Sequence, residues 1–141
     1  MVRQLYTVDH TFGDNPPNFP VIYLVRTTDD SVGDPDARQT EPQVLPDPTQ
    51  AEIITALDDL PAKFVWVGDA DEVPRDAQTH AVADGGAIVT LGNVHFQEDS
   101  KALVSAKLFF SMLGATGKTY ILELLDGEWQ VTGDTGVQWM S

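Results

Sequence analysis

Between Thr119 and Gly133 the chain reads TYILELLDGEWQVTG, two β-forming runs joined by Asp126-Gly127. An Asp-Gly pair in that setting makes a two-residue type I′ hairpin turn, because glycine takes positive φ without a Cβ penalty. A turn of that length fixes the pairing: Leu125 opposes Glu128, Leu124 opposes Trp129, and Leu122 opposes Val131. Tyr120, Leu122, Leu124, Trp129 and Val131 then share one face, and Glu123, Glu128, Gln130 and Thr132 share the other. Ile121 and Leu125 are the exceptions to the polar character of the second face. The pattern predicts that Trp129 is buried, and losing a buried Trp costs about 3–5 kcal/mol.

The rest of the last third extends the same pattern. Strands are expected at residues 86–96, 101–112, 118–125 and 128–132. In the second of these, Val104, Ala106, Leu108, Phe110 and Met112 alternate with Ser105, Lys107, Phe109 and Ser111, as in a half-buried antiparallel strand. Gly92, in mid-strand, marks a bulge. Trp139 and Met140 are too apolar to stand in water, so the chain beyond Gly133 is expected to dock.

Upstream, residues 2–8 and Val21–Val25 read as strands, separated by the breaker run Gly13–Asn18. The β-branched run at 21–25 suits burial on both faces. Residues 29–46 are a long polar loop. One helix is expected at about 48–59: Asp47 as N-cap, Pro48 at the first position, and Gln50 completing a capping box. Ile53, Ile54, Leu57 and Leu60 form its apolar face, and Pro61 ends it. Phe64–Val67 reads as a short buried strand, and residues 70–85 as irregular. The expected fold class is α+β: a curved antiparallel β-meander, about 86–132, packed against one main helix in a single domain spanning 1–141.

The segment Thr119–Gly133 resembles the closing hairpin of NTF2-like and cystatin-like domains, in which a similar aromatic-aliphatic run and Asp/Asn-Gly-x-Trp-x-Val pack under a long helix. The resemblance covers about 15 residues and implies a cone-shaped pocket between helix and sheet. The opening of the chain departs from the NTF2 pattern, since strands are expected where that family begins with helices. The whole is similar to uncharacterised small bacterial α+β proteins, which bring no activity with them.

Charge and composition bound the chemistry. Eight basic residues against 22 acidic ones give a net charge of −14. Such a field repels phosphate backbones and anionic membranes, which excludes direct nucleic-acid and membrane binding and leaves a basic partner, cations or high salt as its complements. The first residues do not read as a signal peptide and no apolar run has membrane length, so a cytoplasmic address is expected unless a leader precedes the numbered sequence. Without cysteine there is no disulfide framework and no thiol chemistry.

No motif carries a reaction. Gly114–Thr119 imitates a phosphate-binding loop, but Met112 stands where the first glycine belongs and a strand follows, so a hairpin loop is expected. Asp29, Asp30, Asp34 and Asp36 fail an EF-hand frame because Pro35 replaces its glycine. Asp69, Asp71, Glu72 and Asp76 fail it at Val73 and Pro74, and remain only as an irregular metal-site candidate. His10, His80 and His95 form no ligand pair; His95, on a strand, is the one candidate general base. No serine lies in a nucleophile elbow. Leu103 and Phe109, on the polar side of their strand, together with Trp139, are the candidate interface. The expected function is a non-catalytic binding module, a homodimer or accessory subunit, whose partner is another copy or a basic protein and which needs no cofactor. The alternatives are an NTF2-like enzyme or ligand carrier with a helix–sheet pocket, and an acidic decoy of a nucleic-acid-binding protein.

Overall fold

The computed structural model describes residues 19–33, 41–111 and 114–140. The strand expected at 2–8, the break at Gly13–Asn18, and His10, Asp34, Asp36 and Met112 lie outside the described residues. The elements are β1 (Val21–Val25), α1 (Asp47–Ala56), β2 (Lys63–Val67), β3 (Ala87–Leu91), β4 (His95–Glu98), β5 (Lys101–Ser111), β6 (Gly114–Leu125) and β7 (Glu128–Met140). Short 3₁₀ turns occupy Asp30–Val32, Ala70–Glu72 and Ala83–Gly85.

All seven strands form one sheet in the order β2-β1-β3-β5-β6-β7, with β4 also paired to β5. The chain is therefore α+β and mostly sheet, but the sheet is mixed rather than wholly antiparallel. β1 runs parallel to both β2 and β3. The cause is the connection: α1 lies between β1 and β2, and a crossover through a helix returns the chain parallel to its starting strand. From β3 onward the pairing is antiparallel.

The Asp126–Gly127 turn forms as expected, with φ of 52° and 81°. Its register is the expected one, Leu125 with Glu128, Leu124 with Trp129 and Leu122 with Val131. Beyond it β7 continues to Met140, which pairs with Thr116. The expected docking holds for Trp139, which is half-buried and bonded to Val32 O, but not for Met140, which is 67% exposed although it lies in the strand.

Three other expectations are corrected. Residues 86–96 are two strands, β3 and β4, both paired to β5 and interrupted at Gly92–Val94. Gly114–Thr119 is part of β6 and not a hairpin loop. Its small residues allow close approach: a Cβ on Gly114 would collide with the Phe110 ring, and one on Gly117 with Trp139 and the Val32 carbonyl. At the helix, Pro46 occupies the N-cap position and Asp47 is the first helical residue, with no side-chain cap. Gln50 turns inward instead; it donates to Leu45 O at 2.7 Å and accepts from Arg26 Nε at 3.2 Å.

Each sheet face is covered differently. On one, Ile53, Ile54, Leu57 and Leu60 from the helical segment pack on Ile22, Leu24, Ala87, Val89, Ala106, Leu108 and Tyr120. On the other, Val73 and Val82 from the irregular segment close over Val25 and Ile88, with Phe109 at the margin. The run Val21–Val25 is apolar throughout because both faces are covered.

Candidate functional site

The ends of β1 and β3 lie side by side, and the loops that leave them build a polar cluster. Asp30, in the turn after β1, is buried. Its Oδ1 accepts the Asn93 backbone N–H at 2.7 Å, and its Oδ2 accepts from Asn93 Nδ2 at 3.4 Å. His95 Nε2 stands 3.0 Å from Asp30 Oδ2, with the His95 side chain 37% exposed and that of Asp30 5%. Thr28 Oγ1 donates to Asn93 Oδ1 at 2.6 Å. The interruption after β3 is thereby explained: the Asp30 carboxylate, inserted at Gly92, accepts an N–H that a continuous strand would give to a neighbouring strand. A Cβ at Gly92 would stand 3.0 Å from that carboxylate, so glycine is needed for the approach.

A groove of about 340 Å³ opens beside the cluster, lined by Thr28, Gln43, Val44, Leu45, Asn93 and His95 among others. Its volume lies in the range of small-molecule sites. A carboxylate on one ring nitrogen fixes the tautomer and orientation of an imidazole, and leaves the other nitrogen as the chemically free one. The groove runs beside the leading end of α1. Between helix and sheet the space is filled by the apolar core.

At the β4–β5 and β6–β7 turns the helix-covered face of the sheet continues beyond the helix. Phe96 pairs with Ala102, Ala102 with Leu122 and Leu122 with Val131, which places all four in one row across four strands. In the next row Leu124 opposes Trp129. Phe96 is 65% exposed and Trp129 44%, and their rings meet edge-on with centroids 5.9 Å apart. The expected burial of Trp129 is thus corrected: it lies on the apolar face, at a place that no described element covers. Exposed Glu98, Asp99, Asp126 and Glu128 surround this tip.

The other candidates are placed as follows. Leu103, Phe109 and Trp139 are all half-buried. Phe109 joins the smaller core cluster, and the Trp139 indole N–H donates to Val32 O at 2.8 Å. Leu103 stands opposite His95 and Ile121. Asp69 accepts the Asp71 N–H, Glu72 accepts those of Gly68 and Asp69, and Asp76 accepts those of Gln78 and Thr79. These carboxylates organise their own loop, and the backbone donors of Thr79 and Gln78 hold the Asp76 carboxyl below the usual carboxylate range. Among the described residues no three His, Asp or Glu side chains gather as a metal site would require. The sequence marks His95 alone as a candidate base; its partner Asp30, 65 residues away, stands out there only as a calcium-type carboxylate.

The fold and the two surfaces define a mixed-sheet α+β protein with an acid-rimmed aromatic tip and a lateral polar groove. The chain matches no family model, no curated protein and no solved structure. Among the described residues no helix is long and apolar enough to cross a membrane.

Proposed function

We propose that the chain is a binding module whose sheet tip receives a basic protein segment. The observation that carries this reading is the exposed Phe96–Trp129 pair, flanked by Leu124 and set among Glu98, Asp99, Asp126 and Glu128. Aromatic faces attract cations, more strongly once water is removed, and exposed aromatic residues are enriched in the centres of interfaces. Carboxylates around them speed the approach of a positive partner and disfavour negative ones. The net charge of −14 favours a basic partner over a second copy of the chain.

The test is retention of a basic protein from source lysate by immobilised wild-type chain, compared with Trp129→Ala/Phe96→Ala and with Asp99→Asn/Asp126→Asn. The expected result is a partner lost with the aromatic variant and weakened, more so at higher salt, with the charge variant. Equal retention by all three proteins would sink the proposal, and so would a stable dimer of the purified chain in light scattering that both pairs of substitutions leave intact.

A second reading, a ligand-binding or acid–base site in the groove, is favoured by the Asp30–His95 contact at 3.0 Å. A fragment screen by NMR distinguishes it. Ligands that shift Asn93, Val94 and His95 in the wild type should lose that effect in His95→Ala; no such ligands would remove the reading.

A further inference from the structure

On the face opposite α1, two cations meet over aromatic rings. The Arg75 guanidinium lies 5.0 Å from the Phe109 ring centroid, and Lys107 Nζ lies 5.6 Å from Phe109 and 5.8 Å from Trp139. Beside them is a recess of about 60 Å³, lined by Ala70, Arg75, Ile88, Thr90, Lys107 and Phe109. Its floor consists of two cross-strand pairs of β3 and β5, Ile88 with Phe109 and Thr90 with Lys107. That floor is set on the sheet, while Ala70 and Arg75 reach it from the irregular segment between β2 and β3.

The chain has 22 carboxylate side chains, yet among the described residues none forms an ion pair with Arg75 or Lys107. The Arg75 guanidinium donates to the Ala70 carbonyl at 3.3 Å. Burial lowers the pKa of the Lys107 ammonium; the charge of Asp29 opposes that shift, and the charge of Arg75 adds to it. Two like charges brought to one aromatic floor repel each other, and partial desolvation makes the arrangement worse. An anion between them reverses both penalties, because charge-assisted hydrogen bonds to guanidinium and ammonium are the strong ones.

We propose that this recess binds a small oxyanion, a carboxylate or phosphate group, between Arg75 and Lys107 with Thr90 at its wall. Phe109 and Trp139 hold the cations in place, and the recess is of a size for a head group and not for a whole metabolite. The overall negative charge does not forbid this. At about 0.15 M ionic strength the Debye length is about 8 Å, so carboxylates elsewhere on the surface are largely screened. Among the described acids, Asp29 is the one whose charge acts on Lys107. The site is separate from the aromatic tip and from the groove, and stands whether or not either binds.

The experiment is a titration of the full ¹⁵N-labelled chain with sodium acetate and, separately, sodium phosphate, at constant ionic strength made up with sodium chloride. The reporters are the Thr90, Lys107 and Phe109 amides, the Arg75 side-chain N–H and the Trp139 indole N–H. Saturable shifts at these positions with acetate, phosphate or both are expected, and the stronger arm names the head group. Lys107→Met and Arg75→Gln should each weaken binding about tenfold or more, equivalent to about 1.4 kcal/mol. Arg75 is exposed, so its variant folds even if the Lys107 variant does not. No saturable shift with either salt, or shifts unchanged in Arg75→Gln, would overturn the proposal.

Discussion

Gly117 and Gly133 both lie within strands, yet the structure gives them opposite tolerance for a side chain. A Cβ on Gly117 would collide with the Val32 carbonyl and the Trp139 indole, whereas one on Gly133 would meet nothing within 4 Å. Gly117→Ala should therefore break the Trp139-to-Val32 hydrogen bond of 2.8 Å and force β6 away from the 28–33 loop. The lost bond is worth about 1 kcal/mol. Crowding a packed site adds about 1–3 kcal/mol. Against these, replacing glycine restricts the unfolded chain and returns about 0.4–1 kcal/mol. The net expectation is a loss of about 1–3 kcal/mol for Gly117→Ala, whereas Gly133→Ala keeps only the gain and is neutral or slightly stabilising. Urea unfolding of the three proteins measures this, and each kcal/mol corresponds to about 4 °C in Tm for a domain of this size. The Trp139 indole N–H resonance should move in Gly117→Ala alone. Equal stabilities for the two variants, or an unmoved indole resonance, would refute the close approach of loop and strand.

Three further outcomes follow from burial and charge. Asp30→Ala strands the Asn93 N–H and should cost about 2–4 kcal/mol in urea unfolding, with Asp30→Asn milder because its amide oxygen still accepts. Trp129→Ala should cost less than about 1.5 kcal/mol, and Tyr120→Ala, at a residue 1% exposed, about 3–5 kcal/mol; reversed values would show the tip to be core. The pKa of Lys107 is lowered by folding, so between that value and the ordinary 10.5 the unfolded chain binds more protons and stability rises with pH. Lys107→Met should flatten that rise in unfolding measured from pH 7 to about pH 10.

What the sequence disclosed follows from how local each signal is. The Asp126–Gly127 turn, its register and the alternation in β5 need only neighbouring residues, and all three hold. The burial of Trp129 needs a length that periodicity does not contain. A helix of 10 residues is about 15 Å long, whereas 12 residues of strand β6 extend about 40 Å. Among the described residues one helix therefore leaves part of the face uncovered, and Trp129 falls there. The parallel pairing of β1 and β2 is legible in principle, since the sequence shows strand, helix and strand in succession and that order signals a crossover. Gly114–Gly117 concealed a strand because its glycines answer to close neighbours, Phe110 at Gly114 and, far away in sequence, Val32 and Trp139 at Gly117. The Asp30–His95 contact was illegible for the same reason: each residue carried chemistry, but nothing local joined positions 65 apart.

Many of the long-range contacts converge on residues 28–33, the start of the loop after β1. A polar connection of this kind is ordinarily loose, because closing it gains little to offset its entropy. Here Thr28 is tied to Gln43 and Asn93, the Asp29 N–H to Leu91 O, Asp30 to Asn93 and His95, and Val32 O to Trp139. Gly33 lies so close to Ser105 and the Lys118 carbonyl that a Cβ would stand 2.5 Å and 2.6 Å from them. All these partners except Gln43 stand on, or just after, the antiparallel strands, so residues 28–33 are fixed to the sheet. The two adjacent acids then serve different places. Asp30 orients His95 at the groove, while Asp29 tempers the charge of Lys107 at the oxyanion recess. A segment held in this way gives the groove a preformed wall at Thr28, and binding there need not bear the entropy of ordering it.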